Sequence, residues 1–192
     1  GLNTPGAASA TGLLDARLGS AVIRANEFNL GYAAASTGAA TGVLRWNRTT
    51  PIVANAFYLS RGVGSGTLDL ASGSTFNLNT GFLRLAYNDS NSAAGSALAN
   101  LNLSTFDPTF SASVTNELSI GSKTVYGSAS TANGTLVLGS NSTLSVGSTT
   151  TPANVYIGLN TTGAASASGL LDARQGSAVI RANEFNLGYA AA

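Results

Sequence analysis

Cysteine, histidine and methionine are all absent from the 192 residues. Their absence excludes thiolate and imidazole metal sites, and with them Ser-His-Asp and Cys-His catalysis. Without disulfides, stability must rest on packing and hydrogen bonding. Charge is scarce: 9% of residues are charged, against roughly 25% in an ordinary globular domain. A net charge of +1 offers no field for nucleic acid or anionic lipid, so neither partner is expected. No run approaches the ~18 apolar residues of a membrane helix, and no membrane insertion is expected. Strong helix formers are few. The chain opens without an initiator methionine or a signal peptide and is expected to be an excerpt of a longer secreted product.

What fills the chain instead is repetition. Residues 1–35 and 158–192 agree at 32 of 35 positions, differing only at Pro5/Thr162, Thr11/Ser168 and Leu18/Gln175. The offset is 157 residues. Residues 1–157 therefore read as one full unit and 158–192 as the opening of the next, within one continuous structure that is expected to extend both ways.

Inside the unit a weaker repeat runs. The segments NEFNLG (26–31), NAFYLS (55–60), GFLRLA (81–86), NELSIG (116–121) and NVYIG (154–158) end alike, and NEFNLG returns at 183–188. Their last large apolar residues, Leu30, Leu59, Leu85, Ile120, Ile157 and Leu187, lie 26 to 37 residues apart. Two further segments precede each ending. The first is GLLDA (12–16), GVLRW (42–46), GTLDL (66–70), NLNLS (100–104) and GTLVL (134–138). The second is SAVIR (20–24), TPIVA (50–54), STFNL (74–78), PTFSA (108–112) and STLSV (142–146). Period-two alternation over about five residues marks a half-buried strand, with Gly, Ser, Thr and Asn between.

Three short strands per 26–37 residues predict an all-β fold, a right-handed parallel β-helix of about six coils. One coil cannot bury its apolar face alone; stacked coils form columns at strand spacing. The spacing places Leu14, Leu44, Leu68, Leu103 and Leu136 on one wall. Phe28, Leu30, Phe57, Leu59, Leu83, Leu85, Leu118, Ile120, Val155 and Ile157 line a second. Val22, Ile52, Phe76, Phe110 and Leu144 line a third. Asp15, Arg45 and Asp69 should stack outside with alternating sign. Asn26, Asn55, Asn116 and Asn183, each four residues before the coil-ending apolar residue, are predicted corner residues, because Asn tolerates left-handed backbone. Asn154 stands one place out of step.

The loops Gly31–Thr41, Ser60–Ser65, Ala86–Ala99, Gly121–Asn133 and Gly158–Ser168 vary in length. Several are Ala- and Gly-rich; they read as compact loops packed on their own coil or, alternatively, as a surface for lateral contacts with a neighbouring copy.

SGTLDLASGSTFNL (65–78) and NGTLVLGSNSTLSVG (133–147) resemble the G-T-L-x-L-x-x-G-S-T-L-x-V-G repeats of bacterial autotransporter passengers and related giant surface adhesins. The resemblance implies a long right-handed β-helix exported to the bacterial cell surface.

The residues that could carry chemistry also have structural readings. Asp107 before Pro108 reads as a turn residue. Asp89 in YNDSNS could hold a cation through carboxylate and amide oxygens. Trp46 reads as packing rather than a surface anchor. Glycan cleavage uses clustered carboxylates; among the acids Asp172 and Glu184 only repeat Asp15 and Glu27, and an active site copied in every unit would be unusual, so no catalytic residue, no metal and no cofactor are expected. The expected function is structural: a fibre, sheath or stalk built from copies of itself, head to tail. The alternatives are an adhesin using Tyr32, Tyr58, Tyr87 and Tyr126, an ice-binding solenoid, for which the Thr67 and Thr135 row is too sparse, and a carbohydrate-active enzyme using Asp69 or Asp107.

Overall fold

A computed structural model describes residues 2–3, 9–34, 39–91, 95–125, 130–162 and 165–191. Strands are the only regular structure among them. A stub, β1 (Leu2–Asn3), precedes the first coil, which holds β2 (Ala10–Ala16) and β3 (Arg24–Ala33). The second coil holds β4 (Ala40–Trp46) and β5 (Ile52–Gly62). The third holds β6 (Ser65–Asp69) and β7 (Thr75–Asn88), and the fourth β8 (Ser96–Asn102) and β9 (Thr109–Lys123). The fifth holds β10 (Thr131–Val137), β11 (Ser142–Val146) and β12 (Ala153–Asn160). The last holds β13 (Ala167–Asp172), β14 (Ser177–Ile180) and β15 (Ala182–Leu187).

Every strand pairing is parallel and joins one coil to the next, which makes the fold a β-solenoid. The opening strands form a six-stranded sheet in the order β2-β4-β6-β8-β10-β13, and the remaining strands form a nine-stranded sheet. Three separate strands per coil appear in the last two coils. In the second to fourth, the second and third segments fuse into β5, β7 and β9, with the backbone ladder continuing through the bend at Asn55, Gly81 and Asn116. There β9 carries one extra residue opposite Thr80–Phe82, so the register slips by one.

The core is a set of columns. Leu30–Leu59–Leu85–Ile120–Ile157–Leu187 runs unbroken through six coils, and Phe28–Phe57–Leu83–Leu118–Val155–Phe185 runs beside it. Phe28 and Phe57 stack with ring centroids 5.4 Å apart, and Phe76 and Phe110 at 5.6 Å. Alternation brings these residues to one face, and each buried Leu or Phe contributes about 1.5–3 kcal/mol.

Three placements differ from the sequence reading. The Leu14–Leu44–Leu68 column continues through Leu101, Leu136 and Leu171, because Ser65 pairs with Leu98. Leu103 is buried one alternation further on, level with Leu138. Period two cannot separate Leu101 from Leu103, which share a face. Val22 points outward at 67% exposure, and Ile23 packs on the core instead. Two adjacent apolar residues leave the phase of the alternation open. Leu144 pairs with Ala112, two residues beyond the Phe76–Phe110 pair.

The left-handed corner also lies elsewhere. Asn26, Asn55, Asn116 and Asn183 are exposed and keep negative φ. The left-handed residues are Gly31, Ser60, Ala86, Gly121, Gly158 and Gly188, with φ between 55° and 74°, each directly after the coil-ending apolar residue. The backbone turns here into each loop. Ser60 and Ala86 adopt a conformation that costs about 1–3 kcal/mol for a residue with a Cβ. The turn brings the two sheets into backbone contact, and the glycine of the G-T-L motif meets it. A Cβ on Gly42 would lie 2.5 Å from Gly31 N, and one on Gly66 2.2 Å from Leu30 O. Gly134 and Gly169 face the equivalent backbone at Gly121 and Ile120. A side chain at these positions would force the two walls apart.

Candidate functional site: the open coils and the charged corner

The first feature of functional interest is an asymmetry between copies of one sequence. In the first coil Leu30 is 5% exposed, under the second coil; its counterpart in the last coil, Leu187, is 68% exposed. Phe185 and Tyr189 are exposed with it, whereas Val179 and Leu170 face outward as their counterparts Val22 and Leu13 do. At the other end Leu14, the first of the inner leucine column, is exposed where Leu44 is buried. The repeated segment thus shows both of its neighbours once each. As the first coil it is covered by the second, with Leu14 on Leu44 and Phe28 on Phe57. As the last coil it lies on the fifth, with Leu171 on Leu136 and Phe185 on Val155. The end pairings repeat as well: Asn3 pairs with Ala33 as Asn160 pairs with Ala190.

The second feature is a cluster of charge in a chain that has little. Arg61 lies over the rings of Tyr32 and Tyr58, 4.6 Å from each centroid, and Arg84 lies 4.3 Å from the centroid of Tyr87. Arg61 pairs with Glu27 (2.9 Å) and Asp89 (2.8 Å), and Arg84 pairs with Glu117 through two hydrogen bonds (2.7 and 3.1 Å). Register explains the assembly: Tyr32, Arg61 and Tyr87 stack in successive coils, as do Asn29, Tyr58 and Arg84. Burial works against the Arg84 charge, but the Glu117 carboxylate outweighs it and holds the guanidinium more basic than usual. Burial pushes the Tyr58 phenol up. Tyr58 is buried, whereas Tyr32 and Tyr87, also expected as adhesin anchors, keep part of their surface exposed beside arginine. Tyr126 lies outside the described residues, as do residues 35–38, 92–94, 126–129 and 163–164 of the loops.

Asp15, Arg45 and Asp69 stack in successive coils. Arg45 bonds Asp69 at 2.9 Å, whereas Asp15 bonds Arg17 at 2.6 Å. Asp107 has φ of 44° and accepts hydrogen bonds from Ser140 Oγ, the Asn141 amide N–H and Asn141 Nδ2, so it is a turn residue that ties two coils together. Asp89 is engaged by Arg61. Among the described residues no three acidic side chains gather as a metal would require. Trp46 is buried in the core, with its indole N–H unpartnered.

One residue escaped the sequence reading. Lys123 is the only lysine in the chain, and it is fully buried at the inner corner beside Asn88. Its singularity was visible in the composition; its burial follows only from the register that sets it opposite Asn88. No family model, curated protein or solved structure matches the chain.

Proposed function

We propose that this is a structural repeat protein of the bacterial cell exterior, whose solenoid units stack end to end into a fibre, sheath or surface stalk. The observation that carries the reading is the exposure of Leu187 where Leu30 is buried. A sequence that is satisfied in one copy stands open in the other, and a further coil would satisfy it.

The magnitudes favour assembly only when the backbone takes part. Burying a Leu or Phe completely contributes about 1.5–3 kcal/mol. Three side chains, Leu187, Phe185 and Tyr189, at roughly half exposure give about 2–5 kcal/mol, which falls at or below the ~4–15 kcal/mol cost of association. The unpaired N–H and C=O groups along the edges of β13, β14 and β15 supply the rest, by continuing the parallel ladder into the next unit. Such a stack works mechanically: ladders along the axis resist extension, and the apolar columns exclude water. The resemblance to surface-exported β-helices supports the location. The adhesin alternative gains no support from Tyr58, whose ring is buried under arginine.

Electron micrographs of the native material test the proposal. Filaments with an axial repeat of ~24 Å, five coils at strand spacing, are the expected result. Particles that stay monomeric at every concentration would exclude it.

A further inference from the structure

Lysine is a residue that folded proteins almost never bury without a charged partner. Lys123, the only lysine of this chain, has no exposed surface. Its Nζ donates to Asn88 Oδ1 (3.3 Å) and to the Ser90 carbonyl (2.8 Å). None of the ion pairs among the described residues includes it. Burial lowers its pKa, with Asp89 opposing, which favours the neutral, nucleophilic amine. Asn88 is equally buried and is the direct partner of Lys123 across neighbouring coils. Its side-chain amide is fixed on both sides: Oδ1 accepts the Ser90 N–H (3.1 Å), and Nδ2 donates to the Thr131 carbonyl (2.9 Å) and Ser130 Oγ (3.1 Å).

We propose that Lys123 and Asn88 join spontaneously in an isopeptide bond, a covalent clip between the third and fourth coils. The neutral Nζ attacks Asn88 Cγ, and the carbonyl electron pair moves onto Oδ1. The Ser90 N–H already points at that oxygen and stabilises the developing oxyanion. A proton then passes from Nζ to Nδ2, both now on Cγ, while the nearby Asp89 carboxylate, whose Oδ1 is buried without a hydrogen-bond partner, steadies the positive charge that Nζ carries. The Cγ–Nδ2 bond breaks, ammonia leaves, and an Nζ–Cγ amide remains. No oxidant or reductant is involved. Packing holds the reacting groups side by side, so the reaction needs no bimolecular encounter. The clip does not depend on end-to-end stacking, and a single chain suffices to form it.

Mass spectrometry of the denatured 192-residue chain tests the clip directly. The expected mass is that of the sequence less one ammonia. Trypsin should then fail to cut after Lys123 and should release residues 85–174 as one species, because no other lysine or arginine lies between Arg84 and Arg174. Lys123→Met should restore the full mass, and Asp89→Asn should slow the loss of ammonia. An unmodified chain of full mass, cut after Lys123, overturns the proposal. So does a loss of ammonia that persists in Lys123→Met, since it would then arise elsewhere.

Discussion

Leu30 and Leu187 occupy the same place in two copies of one sequence, and only the presence of a following coil buries the first and exposes the second. The same 35 residues therefore have two different energetic roles in one chain. This pair separates what a coil does for itself from what its neighbour does for it.

A first expectation follows from that pair. Leu30→Ala should destabilise the isolated chain by about 2–5 kcal/mol, the cost of emptying a packed core position. Leu187→Ala, at an exposed place, should change stability by no more than about 0.5 kcal/mol. Urea unfolding of the two variants measures the difference. Equal costs would mean that the last coil is already covered in solution.

At the contact between the sheets, Gly66→Ala should destabilise by about 1–3 kcal/mol, because the added Cβ has only backbone to meet. The adjoining Thr67 is exposed, and Thr67→Ala should stay within about 0.5 kcal/mol. Thermal unfolding of both variants reads the contrast, and a neutral Gly66→Ala would show that the two walls are not in contact there.

Arg84 and Glu117 form the best-buried ion pair among the described residues. Arg84→Met leaves the Glu117 carboxylate buried and unpaired, and should cost about 3–5 kcal/mol. The double variant with Glu117→Gln should be less destabilised than the sum of the singles, by about 0.5–3 kcal/mol. A double-mutant cycle with no coupling would assign the Arg84 effect to its stacking on Tyr87.

The two copies should titrate alike in acid. The side-chain hydrogen bond from Arg17 holds the Asp15 carboxyl down to about 2, and Arg174 does the same to Asp172. Both lie below their ordinary 3.8, so the unfolded chain takes up these protons first. Their contribution to stability is present above 3.8 and is lost as pH falls through about 2. Carboxyl chemical shifts followed from pH 5 downward, read against Asp15→Asn, check this; ordinary titration at either site would mean that its arginine contact is not held in solution.

Much of the fold was legible in the sequence, because a period of two fixes which residues share a face and a recurring ending fixes how many coils there are. NEFNLG, NAFYLS and GFLRLA announce the columns of Leu30, Leu59 and Leu85 without any structure. Local pattern does not fix phase or register where it is degenerate. Val22 beside Ile23, and Leu101 two places from Leu103, offer equivalent choices, and packing across coils made the selection. Asparagine marks the bend at Asn55 and Asn116 but not the left-handed turn: intrinsic tolerance suggests where a chain can turn, whereas contact between the two sheets decides where it must, even at Ser60 and Ala86.

The sequence by itself determined that the chain is a stack of similar coils without thiol or imidazole chemistry, since composition and periodicity are properties of the chain alone. Only the tertiary structure decided which side chains meet across coils. Arg61 between two tyrosines and Lys123 against Asn88 arise because residues far apart in the chain are brought to strand spacing by a register that no single coil encodes.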